Sequence, residues 1–354
     1  MKRKDLLGLL NIASVALASE GESVVKIYQN FCFTKKNILA YNDVVGIRLK
    51  NPGTVFYGVA PGRLLMKFIK SCTGEHIEFL DAGKEAKWRV QCGPTKLDFG
   101  YQPEEEFPFK FPDPGTDSLA LDDSFFEGLD LVCSVVSEKG FSAWTSGVIF
   151  YFTDEGTLIL GAASGNRNSI HIYEVGDEFG SRDQVILPIQ FCRSLLDMRK
   201  SFKDENVSLF IEESYVIATF GDLGAIFGRT IVPEEKVALI EKAQELIEDF
   251  ETFVPLSDKV REVLERADSV AGKDDHSILT ITDDNKMIVQ TKIAGGVVRD
   301  ALTLKEEHPS VKVQMVPGML TLKMDKCSEL AIKQRLIAMR SDDGVFVKLV
   351  ANRN

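Results

Sequence analysis

Histidine and tryptophan are scarce, with 4 and 2 copies in 354 residues. The histidines lie apart from the cysteines and form no metal-ligand spacing, at positions His76, His171, His276 and His308. The glycine-rich segment 58–63 lacks the GK[ST] of a phosphate loop, and segment 161–165 does not fit the G-x-S-x-G elbow of hydrolases. We therefore predict a protein that is not an enzyme and that uses no cofactor or metal.

Cysteines are few and widely separated, and no C-x-x-C pair occurs among them: Cys32, Cys72, Cys92, Cys133, Cys192 and Cys327. Most stand inside apolar segments, where cysteine acts as a small buried hydrophobe. The pattern favours reduced structural thiols over a disulfide framework or a metal site.

Long apolar runs are also missing, since no segment approaches the ~18 residues of a membrane span. The N-terminus has basic residues, then apolar residues to Ala18, as a signal peptide would. However, Asp5 and Asn11 interrupt this run, and its leucines keep helical spacing. We predict a packed amphipathic helix over residues 4–19 and no membrane partner.

Positive charge is in deficit, with 42 Lys and Arg against 53 Asp and Glu and a net charge of −11. Because phosphate contacts need Lys and Arg, this balance argues against a whole-surface binder of nucleic acid. A basic stripe confined to one face remains open.

Two short patterns recur three times along the chain. An apolar residue followed by proline and an apolar, partly basic stretch occurs at Pro61, Pro188 and Pro317, 127 and 129 residues apart. A strand ending in threonine, a polar turn and a second strand occur at Thr34, Thr153 and Thr282, 119 and 129 residues apart. Periods of 20 to 50 residues build solenoids, whereas this spacing matches a whole domain. The chain therefore reads as three copies of one fold.

Each copy is predicted to be a small α+β domain with two helices on one face of an antiparallel sheet. The predicted boundaries are 1–112, 113–233 and 253–354, with a linker at 234–252 that carries an inserted charged helix, 234–250. Further predicted helices cover 61–70, 188–201 and 257–270, the last with Ser257 as its cap. In the first copy, a strand is expected over 24–33.

Basic residues concentrate in the second helix of each copy. Segments 61–70, 188–203 and 317–326 together hold nine basic and two acidic residues, although the whole chain is acidic. Chance and the usual preference for cations near helix C-termini are one explanation. The other is a repeated basic face that meets a phosphate backbone without reading bases. The first helix of the second copy is acidic, which leaves this pattern incomplete.

Several segments match a known family in order and spacing. They are Ile38 to Asp43, Val59 to Leu65, the pair Phe107-Pro108, and Ser146 to Phe150. On these residues the chain resembles the bacterial DNA polymerase III β subunit, the sliding clamp, along nearly its whole length. The resemblance implies a DNA clamp fold of three domains and a head-to-tail homodimeric ring around duplex DNA. It also implies a processivity factor that tethers the replicative DNA polymerase and is opened by a clamp loader.

By this resemblance, the cations of the second helices would line the ring and touch phosphates without sequence preference: Lys67, Lys70, Arg193, Arg199, Lys200, Lys203 and Lys323. The subunit contact would pair the strand around Leu97 and Phe99 with a helix end near Val270. Domain core is the alternative role for these last three residues.

The resemblance also places a groove for partner peptides between the second and third domains. Its residues would be Ile149, Gly165, Asn166, Arg167, Asn168, Pro233, Val350, Ala351, Asn352 and Arg353. Gly165 and Arg167 match the family, but the family's histidine and terminal Met-Pro-Met do not recur here. This departure suggests a more polar groove in a divergent clamp, with a phage origin as one source. Ordinary loop and chain-end positions are the alternative.

A bacterial cytoplasm or infected host cell, with nucleoid association, is the expected location. The competing hypothesis is a clamp-like interaction scaffold or decoy that does not encircle DNA. Basic second helices favour the clamp, and the acidic helix of the second copy favours the scaffold.

Overall fold

The computed structural model describes residues 1–19, 25–82, 87–100, 102–136, 143–164, 169–176, 179–232, 237–250, 252–272, 275–333 and 335–351. The chain forms two compact units, each built from two stretches: 1–122 with 190–230, and 123–189 with 231–354. Helices and antiparallel sheets make up both units, so the predicted α+β class is confirmed. The boundaries of the three predicted domains stay a prediction.

The helices of the described residues are α1 (Arg3–Ala13), α2 (Gly62–Ser71), α3 (Asp123–Cys133), α4 (Ile189–Ser201), α5 (Leu239–Glu248), α6 (Asp258–Val270) and α7 (Pro317–Thr321). The strands up to the second copy's helix α4 are β1 (Asn30–Phe33), β2 (Asn37–Tyr41), β3 (Val45–Lys50), β4 (Gly58–Pro61), β5 (Glu78–Asp81), β6 (Lys87–Cys92), β7 (Thr95–Gly100), β8 (Ser118–Leu121), β9 (Gly147–Phe152), β10 (Leu158–Ser164), β11 (Ser169–Gly176) and β12 (Val185–Pro188). The later strands are β13 (Val207–Ile211), β14 (Tyr215–Phe220), β15 (Gly224–Arg229), β16 (Val254–Pro255), β17 (Ser277–Ile281), β18 (Lys286–Ile293), β19 (Gly296–Thr303), β20 (Val311–Met315), β21 (Glu329–Lys333), β22 (Leu336–Arg340) and β23 (Phe346–Ala351).

Each unit holds an eight-stranded sheet in which strands from two copies are joined. The first sheet has the order β4-β1-β2-β3-β15-β14-β13-β8, and the second has the order β12-β9-β10-β11-β23-β22-β21-β16. The joins are the antiparallel pairs β3–β15, with Ile47 opposite Ile226, and β11–β23, with Ile172 opposite Val347. Two smaller sheets, β5-β6-β7 and β19-β18-β17-β20, complete the units.

The two repeated sequence patterns mark equivalent structural positions. Pro61 and Pro188 end strands β4 and β12 just before α2 and α4, and Pro317 begins α7. Proline suits these positions because the first helical turn leaves its N–H groups unpaired and the ring presets φ. The prolines therefore mark the strand-to-helix turn in all three copies.

The threonines close the hairpins by the same hydrogen bond. The backbone N–H of Asn37 donates to Thr34 Oγ1 at 2.9 Å, and that of Thr157 donates to Thr153 Oγ1 at 3.1 Å. In the third copy, the N–H of Lys286 donates to Thr282 Oγ1 at 3.2 Å. A hydroxyl at this position satisfies a turn N–H, which explains the recurrence of the residue.

Two predicted elements of the first copy are shorter than expected. The first helix ends at Ala13 and a 3-10 turn covers 14–16, where Ser14 Oγ donates to the Asn11 carbonyl at 2.7 Å. Side-chain bonds of this kind compete with helix continuation. The strand expected over 24–33 starts at Asn30 after a 3-10 turn at 26–29, and Val24 lies outside the described residues. Its neighbour β4 offers only four pairing residues.

Two features of the third copy also differ from expectation. Its second helix, α7, has only five residues, because the chain turns at Lys323 into the left-handed region (φ 57°). Strand β19, Gly296–Thr303, was not predicted. It lies at a sheet edge, and its burial pattern lacks fully buried positions, so it has no apolar alternation to mark it.

Candidate nucleic-acid and partner surfaces

The cations of α2 lie on one exposed face of that helix. Leu65 and Ile69 bury its apolar face, whereas Arg63, Lys67 and Lys70 are exposed at i, i+4 and i+7. The described contacts of α2 include α1, which packs beside it. Side chains spaced in this way can reach neighbouring phosphates together.

The cations of α4 divide into two kinds. Arg193, Lys200 and Lys203 are exposed, and Lys200 forms a solvent-exposed ion pair with Asp197 at 3.4 Å. Arg199 is half-buried and donates its Nη1–H to the carbonyl of Glu205 at 2.9 Å. This bond holds the turn that follows α4, so Arg199 also has a structural role.

The cations of the third copy are paired with acids of α3. Lys323 Nζ lies 2.7 Å from Asp130, and Lys326 Nζ lies 2.9 Å from Glu127. The hydrogen bond to Glu127 raises the pKa of Lys326, which keeps that side chain cationic. These pairs reduce the positive electrostatic potential of this face. A count of charges within each sequence segment does not predict this effect, because the acids lie on α3, far away in the chain. The assignment of Lys323 to DNA binding stays a prediction.

The residues predicted to line the partner groove are only partly described. Ile149 is fully buried in an apolar cluster that includes Ile240 and Ala243 of the α5 region. Val350 is buried on β23, and Ala351 is half-buried at the end of that strand. The remaining residues lie outside the described ranges: Gly165, Asn166, Arg167, Asn168, Pro233, Asn352 and Arg353.

Strand alternation separates the described groove residues onto two faces of the second sheet. Val350 shares the face of Phe346 and Lys348, where His171 also lies. Ile149 shares the opposite face with Leu349 and Ile172. The structure therefore brings Ile149 and Ala351 to one face, but Val350 to the other.

The residues of the predicted subunit contact lie at an edge strand and a helix end. Strand β7 is at the edge of its sheet, with Leu97 half-buried on it. Phe99 is buried, and its ring centroid is 5.6 Å from that of Phe56. Val270 ends α6 and is 38% exposed. Phe99 thus contributes to the core, whereas Leu97 and Val270 have exposed surface.

Two buried titratable groups of the second sheet were not among the residues that the sequence predicted to be functional. Lys348 is fully buried and donates from Nζ to the carbonyls of Leu320 and Leu322, at 2.6 and 2.7 Å. Burial lowers its pKa to about 8. These bonds satisfy the last carbonyls of the short α7, so Lys348 acts as a C-cap supplied by a strand.

His171 lies opposite Lys348 in the strand register and is also fully buried. Burial and the neighbouring Lys348 charge lower the pKa of His171 to about 3. The Leu131 carbonyl lies 3.1 Å from Nδ1, and since a carbonyl only accepts, Nδ1 carries the proton. In the described residues, Nε2 has no hydrogen-bond partner. In the sequence, this buried histidine could have been noticed only because polar and apolar residues alternate at the start of β11.

The described residues contain no group of three or more His, Cys, Asp or Glu side chains placed to hold a metal ion. All six cysteines are free and buried, and burial raises the pKa of Cys32 to about 12. Among the described helices, none has the length and apolar character needed to cross a membrane.

Solved structures of sliding clamps share this fold over the full chain. The β subunit of DNA polymerase III from Thermotoga maritima is 19% identical with a TM-score of 0.83, covering 100% of this chain and 98% of that one. The sliding clamp from Pseudomonas aeruginosa bound to griselimycin is 14% identical with a TM-score of 0.83 and the same coverage. The β subunit from Streptococcus pyogenes is 15% identical with a TM-score of 0.81, covering 100% and 99%.

No protein-family model matches the chain, and no curated protein matches it. The chain nevertheless has the fold of the bacterial DNA polymerase III β sliding clamps, as the sequence resemblance predicted.

Proposed function

We propose that the protein is a sliding clamp, in which two chains close head to tail around duplex DNA and tether a DNA polymerase. The observation that carries this proposal is the repeated way in which the copies are joined. Strand β3 of the first copy pairs with β15 of the second, and β11 of the second pairs with β23 of the third.

The same pairing scheme has one further equivalent strand at each end of the row of three copies, one in the third copy and one in the first. Strand β19 occupies in the third copy the edge that β3 and β11 occupy in the first two, and β7 corresponds to β15 and β23. In the described residues, β19 and β7 each pair on one side only. Unpaired edges are templates for pairing with another chain. Pairing β19 of one chain with β7 of the next, twice, closes a ring of six domains.

Cationic helix faces supply the contacts to DNA in this proposal. Lys67 and Lys70 on α2, with Arg193, Lys200 and Lys203 on and after α4, would meet phosphates mainly through water. Such contacts carry no base information, which suits a protein that must slide. Arg199 and Lys323 would contribute less, because each is only half-exposed and is held by a protein partner.

A DNA polymerase and a clamp loader are the expected protein partners, and a short apolar segment of each would dock near Ala351 at the end of β23. Ile149 would support this groove from the core and would not touch the segment, because its side chain is buried. The loader would open the ring, and the protein would act in a bacterial cytoplasm or an infected cell, with the nucleoid. No catalytic step is assigned to the chain.

Retention on DNA of different topology tests the encircling function. The protein is incubated with its loader on nicked circular DNA and separated from free protein by gel filtration at moderate salt. We expect retention on the circle and rapid loss after the circle is cut to a linear form with free ends. Equal retention on the circular and the linear DNA would contradict the proposal. Retention on neither form would also contradict it, provided that the same loader preparation loads another clamp.

The ion pairs between α3 and the third copy's cations favour a second candidate, the interaction scaffold that does not encircle DNA. A scaffold would bind the polymerase or loader without raising the length of DNA synthesised. The two functions separate in a primer-extension assay, in which a clamp lengthens the products and a scaffold leaves them short by sequestering its partner.

A further inference from the structure

Two of the six cysteines meet at the end of α2. Cys72 is the C-cap of that helix, and its backbone N–H donates to the Phe68 carbonyl at 3.2 Å. Cys92 is the last residue of β6, and a hydrogen bond joins the two thiols. Contact of this kind is the first requirement for a disulfide, because cysteines that lie apart or point away from each other cannot be bridged without backbone movement.

The loop that follows α2 packs directly on this thiol pair. Cys92 Sγ donates to the Gly74 carbonyl at 3.5 Å. A Cβ atom on Gly74 would lie 2.8 Å from the same sulfur, so glycine allows the backbone to approach it. Arg3 of α1 donates from Nε to the Gly74 carbonyl at 2.9 Å and from Nη1 to the Ile69 carbonyl at 3.3 Å. The pair is therefore held between the first turn of α1, the end of α2 and the end of β6.

The surroundings of the pair determine how its thiols react. Burial raises the pKa of Cys72 to about 11, the neighbouring Cys92 adds to this shift, and the charge of Arg3 opposes it. Because the thiolate is the reacting form, the reduced pair resists weak oxidants near neutral pH. Cys72 is 6% exposed and Cys92 is 2% exposed. Cys72 is therefore the thiol that a small oxidant reaches first, and Arg3 stabilises its thiolate.

The other four cysteines provide an internal comparison, because they lie on different elements: Cys32 on β1, Cys133 at the end of α3, Cys192 on α4, and Cys327 after a 3-10 turn at 324–326. Burial raises the pKa of Cys32 to about 12 and that of Cys327 to about 11. The neighbours that affect these two thiols are charged side chains and not another thiol.

We propose that Cys72 and Cys92 are a modification site, a dithiol that a peroxide converts to a reversible disulfide. The new bond ties the end of α2, the helix of Lys67 and Lys70, to the β6–β7 hairpin. Strand β7 is the edge that meets the next chain in the proposed ring, so oxidation restricts the motion of a strand at the subunit contact. The inference rests on the proposed function only for this role of β7.

The oxidation proceeds in two steps with hydrogen peroxide as the oxidant. The Cys72 thiolate attacks one peroxide oxygen and breaks the O–O bond, which gives a sulfenic acid and a hydroxide that leaves as water with the thiol proton. The Cys92 sulfur then attacks the Cys72 sulfur, the S–O bond breaks, and the hydroxyl leaves as a second water with the Cys92 proton. The two thiols lose two electrons, and one peroxide is reduced to two waters.

Peptide mapping of the full chain tests the site. The reduced protein, at a concentration low enough to limit contact between chains, is treated with hydrogen peroxide, alkylated in denaturant and cut with trypsin. We expect a linked peptide that joins residues 71–84 with 90–96. The mass of the chain should fall by about 2 Da, and its free thiols should fall from six to four. Dithiothreitol should restore all six thiols.

Serine substitutions identify the two partners. Cys72→Ser and Cys92→Ser should each abolish the loss of mass, whereas Cys133→Ser, at an equally buried cysteine, is the matched control and should retain it. Absence of the linked peptide from the unaltered, folded protein would overturn the proposal, and so would equal amounts of links to the other cysteines. The map of the unaltered protein decides the question even where a serine variant does not fold.

Hydrogen exchange tests whether the disulfide restricts the hairpin. Amides of β6 and β7 should exchange at least about 10-fold more slowly in the oxidised protein than in the reduced protein. Amides of β17 and β18, in the small sheet of the other unit, should be unaffected. A disulfide that leaves exchange in the hairpin unchanged would overturn the proposed restriction. These readouts involve no DNA, so failure of DNA retention alone would reject the proposed function and leave this inference standing.

Discussion

Lys348 and His171 are charged or titratable residues in positions that have no access to solvent. Lys348 donates hydrogen bonds to two carbonyls of the α7 region in place of water. His171 remains neutral, and among the described residues its Nε2 has no hydrogen-bond partner. Burying such groups is unfavourable unless they are hydrogen-bonded, so each makes the stability of this sheet sensitive to pH or substitution.

The stability of the protein should decrease in mild acid because of His171. Its folded pKa, about 3, lies below the unfolded value near 6.5, so the unfolded chain binds the proton first and stability is lost as pH falls below 6.5. This group should lower the free energy of unfolding by about 1.4 kcal/mol between pH 7.5 and 5.5. Denaturant unfolding at both pH values measures the loss, and His171→Phe should remove that part of it. An unchanged pH dependence in the variant would exclude His171 as the cause.

The acids of α3 should weaken DNA binding in the native protein. Glu127→Gln with Asp130→Asn frees Lys326 and Lys323 from their ion pairs, so both become available to phosphates. Affinity for duplex DNA should rise, and the plot of log affinity against log salt should become steeper by about 1 to 2.

The matched control for this double variant is Glu213→Gln with Asp342→Asn, which makes the same change in net charge at exposed positions. It should leave the salt slope nearly as in the unaltered protein. A similar rise in both variants would attribute the effect to net charge and not to the released lysines.

At the scale of elements, α2 offers the clearest test of the cationic face. Lys67→Glu with Lys70→Glu reverses two exposed charges and leaves the buried Leu65 and Ile69 in place. Retention on circular DNA should fall more than 10-fold, while the melting temperature stays within the range of surface substitutions. Lys96→Glu with Lys312→Glu, at exposed strand positions, should retain DNA much better. Equal losses in the two double variants would remove α2 from the interface.

Element boundaries could be predicted where local chemistry fixes them. The cap of α6 was predicted at Ser257, and the structure has the Val260 N–H donating to Ser257 Oγ at 3.4 Å. The helix predicted over 234–250 is observed as α5 over Leu239–Glu248, with its first predicted residues outside the described ranges. The exposed strand β19 has no alternation of apolar and polar residues, so the hydrophobic pattern of the sequence did not predict this strand or its pairing with β18.

At the scale of the whole molecule, we expect a dimer of twice the 39.4 kDa chain in solution. Leu97→Asp places a charge on the edge strand β7, where it would disrupt pairing with β19 of another chain, and light scattering should then give the mass of one chain. Leu80→Asp, on the opposite edge strand β5 of the same sheet, should remain dimeric. A monomeric unaltered protein at micromolar concentration would contradict the ring.

The sequence by itself determined the repeat, the α+β class and the likeness to the sliding clamps. Prolines, turn threonines and helix caps act over a few residues, so they mark the same positions in every copy. Only the tertiary structure decided which charges remain available and which apolar residues are covered. The pairs Lys323–Asp130 and Ile240–Gly161 join residues far apart in the chain, and such contacts depend on how the elements pack.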